Sequence, residues 1–260
     1  EALLPGIAAG DKLISLALQE TAHHAPEQTT MAASRDGDTF VLNGDKILVL
    51  DANVADYFVV IARTAGSKGD ESGLSAFLVE ADTRGVNVTR RSMVDSRNVG
   101  AVNFVDVRVS TENLLGEAGQ AWDGLSRTMD IANVGLAAEL LGISTEAFER
   151  TVEYLKERKQ FGKVIGSFQV LQHRASELFA ELEMARSIVL RALHAIDDGD
   201  EQLPLIASAA KAKLCEVAQR ATNEGIQMHG GIGMTDEHEI GFFIKRARVV
   251  QHTFGDYNHH

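Results

Sequence analysis

The stretch ERKQFGKVIGSFQ, residues 157–169, gathers side chains suited to gripping a flat, anionic molecule. Arg158 offers a planar fork of donors that matches phosphate oxygens. Gln160 and Gln169 each supply a donor and an acceptor, Lys159 and Lys163 add positive charge, and Phe161 can lie against a ring system. The same residues also suit an ordinary helical hairpin whose basic side chains favour a helix C-terminus. A second stretch, GIQMHGGIGM at 225–234, places Gly225, Gly230, Gly231 and Gly233 at the end of a helix-forming run. Each glycine costs about 1 kcal/mol against alanine inside a helix. Two readings stand: a loose helix C-cap, or backbone left bare so that a ligand can approach.

Other reactive side chains point to less. The pairs His23–His24 and His259–His260 lack carboxylate or cysteine companions at a defined helical spacing, and adjacent residues on a strand face opposite ways, so no metal site is predicted. His229, inside the glycine cluster, is placed to touch a ligand. Trp122, the only tryptophan, falls in a helical pattern and is expected in the core. Cys215, the only cysteine, reads as a small buried hydrophobe. A lone cysteine excludes an intramolecular disulfide and points to a reducing, cytoplasmic compartment.

The elements that must hold these residues change character along the chain. From about 27 to 108 the sequence reads as short strands: TTMAAS, TFVLNG, KILVLD, DYFVVIART, LSAFLVEA, GVNVTRR and AVNFVDVRV. Asp36-Gly37 and Asn43-Gly44 read as turns between them. Val105, Val107 and Val109 are expected on one face and Asp106 and Arg108 on the other, with Val102 and Phe104 out of step across a bulge. AGSKGDESG, 65–73, is expected to be a flexible surface loop. From Gly119 onward apolar residues recur at helical spacing in four segments. These run from about Gly119 to Arg158, from an N-cap at Ser167 to about Asp197, from near Pro204 to the glycine cluster, and from near Asp236 to about Thr253. The prediction is an α+β chain: a small antiparallel β-barrel or sandwich domain, residues 27–117, then a four-helix up-and-down bundle, residues 118–260. The 260 residues suffice for two modest domains. A formal charge of −12 provides no positive field for nucleic acid. No uninterrupted apolar run approaches a bilayer-spanning length, so no membrane span is predicted.

The order R-x-Q-F-G-K-x-I-G-S-F-Q followed by QMHGGIGMTDEHEI resembles the acyl-CoA dehydrogenase family of flavoproteins. ENLLGEAGQAWDGL, HRASELFAELEMARS and SAAKAKLCEVAQRATNEGIQMHGGIG resemble its C-terminal bundle, and RDGDTFVLNGDKILVLDANVADYFVVIART its middle β domain. By the same resemblance, residues 1–26 are expected to be a linker remnant from the family's N-terminal helical domain, which this sequence does not contain. The resemblance implies an oligomer binding FAD across a subunit interface, an acyl-CoA substrate and an electron-accepting flavoprotein. It places Arg158, Gln160 and Phe161 at the FAD diphosphate of a neighbouring subunit, Gln169 at the adenosine half, and Gln227, Gly230 and Gly231 at the ADP moiety.

The family also implies a carboxylate that removes the proton α to the thioester, and here the chain departs from it. Phe254 stands where the usual glutamate is expected and Ala132 at the alternate position; neither can accept a proton. Asp256 is the nearest replacement base, with turn formation its competing role. Asp130 is expected to keep a role near the CoA end. Asn133 replaces an arginine, Leu50 a small flavin-contacting residue, and LQETAHHAPEQTT lacks the flavin loop's glycines. The combination implies a base-deficient subunit of a heteromeric dehydrogenase; the partner expected from the family is a homo- or hetero-oligomer with a related dehydrogenase subunit. Alternatives are a non-catalytic FAD-binding or scaffolding member of the family and, more distantly, a bundle domain with no cofactor.

Overall fold

A computed structural model describes residues 3–260; residues 1 and 2, the start of the expected linker, lie outside the described residues. The chain divides into two compact units, Glu1–Ser126 and Arg127–His260. The expected boundary near Glu117 falls ahead of that division, so the first turn of the long helix groups with the sheet.

The first unit opens with helix α1 (Leu4–Ala9) and strand β1 (Ile14–Ala17). It continues through β2 (Ala32–Asp36), β3 (Thr39–Leu50), β4 (Tyr57–Arg63), β5 (Leu74–Glu80), β6 (Val86–Ser92), β7 (Asn98–Ser110) and β8 (Leu114–Leu115). The strands form one eight-stranded sheet in the order β6-β7-β3-β2-β4-β5-β8, with β1 beside β4. The sheet is mixed rather than antiparallel, because both β1 and β2 run parallel to β4. Residues 14–17 are therefore part of the sheet and not linker: four residues are too few for a clear alternation, but Ala17 is fully buried in the sheet core.

Asn43-Gly44 does not make a turn. It lies within the continuous strand β3, where the pairing with β7 shifts between Leu42 and Gly44. The Asn43 side chain accepts the Asp106 N–H at 2.8 Å and donates to the Asp106 carboxylate at 3.2 Å. Asp106 takes φ +49°, so an extra residue is accommodated in β7. The predicted bulge is thus present, but it turns Val105 outward, while Val102, Phe104, Val107 and Val109 share the core. The 65–73 segment is also less free than its composition suggests. The Arg63 guanidinium donates to the carbonyls of Glu27, Asp70 and Ser72, each at 2.9 Å.

The second unit is built on α2 (Trp122–Glu157), α3 (Gln169–Asp197), α4 (Leu203–His229) and α5 (Ile240–His252). Their apolar faces meet in one core that includes Val134, Ala137, Leu140, Leu178, Leu182, Leu214, Ala218 and Ala247. By length and composition α2 could span a bilayer, but its apolar face enters that core. Arg246 of α5 clasps Glu139 of α2 through two hydrogen bonds, 2.6 and 3.1 Å. Ser167 is not the cap of α3: its hydroxyl donates to the Val164 carbonyl, and Phe168 occupies the cap position without a side-chain bond. Residues 236–239 precede α5, whose first turn is capped by His238 Nδ1 accepting the Ile240 N–H at 3.2 Å. Trp122 opens α2 only half-buried, outside both cores.

Candidate functional site

The connection from α2 to α3 is a miniature hairpin rather than a plain loop. Strands β9 (Lys159–Gln160) and β10 (Lys163–Val164) pair in antiparallel register, Gln160 opposite Lys163. Its two turn residues, Phe161 and Gly162, have φ +55° and +77°, the signs a tight two-residue hairpin turn requires. Glycine adopts this freely; a bulky residue there carries roughly 1–2 kcal/mol of strain. Phe161 is also 89% exposed, and its ring meets that of Phe168 nearly at right angles, centroids 6.0 Å apart. The fold therefore holds an aromatic ring in solvent, in a strained backbone, at a tip where asparagine would serve the turn better.

Arg158 sits directly behind that tip, exposed, its N–H bonded to the Tyr154 carbonyl at 2.9 Å. Among the described residues its guanidinium has no hydrogen-bond or ion-pair partner, unlike Arg150, Arg174 and Arg220, which pair with Glu146, Glu224 and Glu177. Gln160 and Gln169 are exposed as well, Gln169 as the first residue of α3. Lys163 folds back over the Phe168 ring at 4.2 Å and steadies the hairpin.

The glycine-rich segment lies at the C-terminal end of α4, where Gly230–Met234 form a 3-10 turn. Its glycines serve different ends. Gly225 and Gly233 are packing positions: a Cβ on Gly233 would stand 2.8 Å from the Ile226 carbonyl oxygen, and one on Gly225 would meet Ile240 and Thr151. Gly230 has φ +66° and ψ −142°, a conformation for glycine alone. Gly231 has an ordinary φ and nothing within 4 Å of a Cβ, and it is exposed. Nothing among the described residues requires Gly231 to be glycine, so its bare backbone suits an approaching ligand. Gln227 is exposed beside it. His229 is not: its ring is 4% exposed and stacks on Tyr154 at 4.3 Å, so it is withdrawn from any ligand at the surface.

These two motifs occupy the same end of the bundle. The hydroxyl of Tyr154, in the last turn of α2, donates to the His229 carbonyl at 3.3 Å, immediately before Gly230. Tyr154 thus ties the hairpin that carries Arg158 and the exposed Phe161 to the segment that carries Gly230 and Gly231. Such a constellation fits an aromatic diphosphate: a fork for phosphate oxygens, a flat face for a ring and open backbone for close approach.

The candidate base lies elsewhere. Lys211 of α4, the anchor of the segment after α5, is eighteen residues before His229, ~27 Å along the helix. Phe254, at φ +54°, and Ala132 are both half-buried and offer no proton acceptor. Asp256 Oδ1 accepts the N–H groups of Asn258 and His259 at 3.0 and 3.1 Å. Burial works against its charge, but those two donors and the neighbouring His252 and His259 hold the carboxyl below its ordinary range. That carboxylate is engaged in forming a turn and is a weak base. Asp130 shifts the other way, burial raising it against the attraction of Arg127. Asn133 is buried, and its Oδ1 finds no hydrogen-bond partner among the described residues.

The hairpin was hidden from sequence reasoning because phenylalanine is a poor turn former. Tyr154 was missed altogether; its only signal was a position one helical turn before Arg158.

Comparison with known proteins follows the same division. Residues 19–107 match the model of the acyl-CoA dehydrogenase middle domain and residues 119–260 that of the acyl-CoA dehydrogenase C-terminal domain. The chain is 32% identical to the short-chain specific acyl-CoA dehydrogenase of Megasphaera elsdenii, over 96% of this chain and 66% of that protein. It therefore spans just under two thirds of that relative's length. Butyryl-CoA dehydrogenase from Megasphaera elsdenii superposes with a TM-score of 0.94 at 31% identity, covering 99% of this chain and 68% of that one. A structure described as an FAD-dependent dehydrogenase superposes with a TM-score of 0.92 at 28% identity, covering 99% and 70%.

Proposed function

The chain belongs to the acyl-CoA dehydrogenase family, and from that premise we propose that it is a base-deficient subunit of an FAD-dependent acyl-CoA dehydrogenase. In this reading Arg158 binds the FAD diphosphate, Phe161 covers an adjoining flat group, and Gln160, Gln169 and Gln227 hydrogen-bond around it. Gly230 and Gly231 let the diphosphate lie against the backbone. FAD, when bound, supplies the hydride acceptor for α,β-dehydrogenation of an acyl-CoA.

The proton side of that reaction is what this chain does not furnish. An α-proton is poorly acidic, and a positioned base contributes on the order of 10²–10⁴-fold. Phe254 and Ala132 cannot act so, and Asp256 is tied into its own turn. The nucleotide-gripping residues and the segment carrying Phe254 lie about 27 Å apart along α4, as suits residues that serve two different flavins of an oligomer. The base then comes from a related subunit, which shares the interface and passes electrons to a flavoprotein acceptor. Cys215, buried and unbridged, is in keeping with a cytoplasmic setting.

The observation that carries this reading is Phe161: an 89% exposed ring held in left-handed backbone beside an unpaired arginine. Purification of the assembly from its native cells tests it. Yellow protein with flavin absorbance, bleached by acyl-CoA and containing a second related chain, is expected. Colourless protein, or oxidation of acyl-CoA by this chain alone at rates usual for the family, would contradict it.

A further inference from the structure

Tyr154 joins two motifs that are more than seventy residues apart in sequence. Its carbonyl accepts the Arg158 N–H at 2.9 Å, which fixes where α2 ends and the hairpin begins. Its ring lies on His229 with centroids 4.3 Å apart and planes inclined by 26°, and its hydroxyl donates to the His229 carbonyl at 3.3 Å. His229 in turn donates from Nδ1 to the Gly225 carbonyl at 2.7 Å. His238 adjoins both rings, its centroid 4.5 Å from His229 and 6.2 Å from Tyr154, and its Nδ1 accepts the Ile240 N–H. The residue that enters Gly230 is therefore held by its ring and its carbonyl from one side chain on α2, four residues before Arg158.

We infer that Tyr154 is a positioning residue for the dinucleotide: it holds the Gly230 bend and Arg158 at the separation that a diphosphate bridges, acting through His229. The inference rests on the proposed FAD site and adds a residue to it. A side chain needed only for folding would matter equally whether or not Arg158 is present. A side chain that sets the spacing between Arg158 and the bend loses its influence once the guanidinium is gone.

The test is equilibrium titration of FAD into the natural assembly carrying wild-type chain, Y154F, R158A or both, with a thermal melt of each. Y154F keeps the ring and removes one hydroxyl, so the fold is retained. The expected result is about a fivefold loss of FAD affinity in Y154F, alongside no more than the small fall in melting temperature that losing one neutral hydrogen bond brings. In the R158A background, adding Y154F should have little further effect. Additive losses, or a Y154F affinity equal to wild type while R158A is weakened, would overturn the role of Tyr154 and leave the site standing. Wild type and R158A binding FAD equally, or not at all, would overturn the site itself and the inference with it.

Discussion

The ammonium of Lys211 donates to the carbonyl of Gly255 at 2.8 Å, from a side chain with no exposure to solvent. It also donates to Thr253 at 2.8 Å and reaches Gln251 at 3.5 Å, so one buried lysine on α4 closes the C-terminal end of α5 and seats the segment bearing Phe254. Burial lowers its pKa from 10.5 to about 8, although Cys215 and Asp256 draw it upward. The unfolded chain keeps that proton to about pH 10.5, so between about 8 and 10.5 it binds more protons than the folded chain. Stability must then rise with pH across that window, a contribution absent below it. Denaturant unfolding of wild type and K211M below pH 8 and near pH 10.5 checks this. The difference in favour of wild type should grow with pH by about 1–3 kcal/mol. A difference that is flat or shrinks would contradict the assignment.

Two neighbouring glycines should respond oppositely to the same change. G233A sets a Cβ 2.8 Å from the Ile226 carbonyl and should lower the melting temperature. G231A meets nothing within 4 Å and should leave it unchanged, yet reduce FAD affinity by about tenfold as the backbone is screened from the diphosphate. Melting and FAD titration of both variants distinguish a packing glycine from a ligand-facing one.

Phe161 should trade stability against binding. F161N places a residue that tolerates left-handed backbone at φ +55° and should hold or raise stability by about 1 kcal/mol. The same variant should retain less FAD through gel filtration. Loss of stability in F161N would show that the ring serves the fold.

Asp256 should behave as a turn residue. D256N can still accept the N–H groups of Asn258 and His259, so acyl-CoA oxidation by the assembly should change less than about twofold, while D256A should lose about 1 kcal/mol of stability. A fall on the order of 10²-fold in D256N would make Asp256 the general base.

What the sequence disclosed and what it concealed follow from the range of the interactions involved. The Arg158-x-Gln160-Phe161-Gly162 spacing and the Gly230-Gly231 pair are local, and it is the family resemblance that turns them into expected nucleotide contacts. The four long helices were legible because their apolar period is sustained over many turns. Asn43-Gly44 misled because the same dipeptide serves a turn or a bulge, and only the partner Asp106, sixty-three residues away, decides which. Strand β1 was invisible because its identity lies in β4, its parallel neighbour. The turn at Phe161 went unforeseen because its local preference opposes the conformation it takes.

The most direct measurement of the central claim is the ³¹P resonance of FAD added to the purified assembly. Both diphosphate signals should shift and broaden on binding to wild type and return toward the free positions in R158A. Bound FAD with identical phosphate signals in wild type and R158A would place the diphosphate elsewhere and contradict that claim.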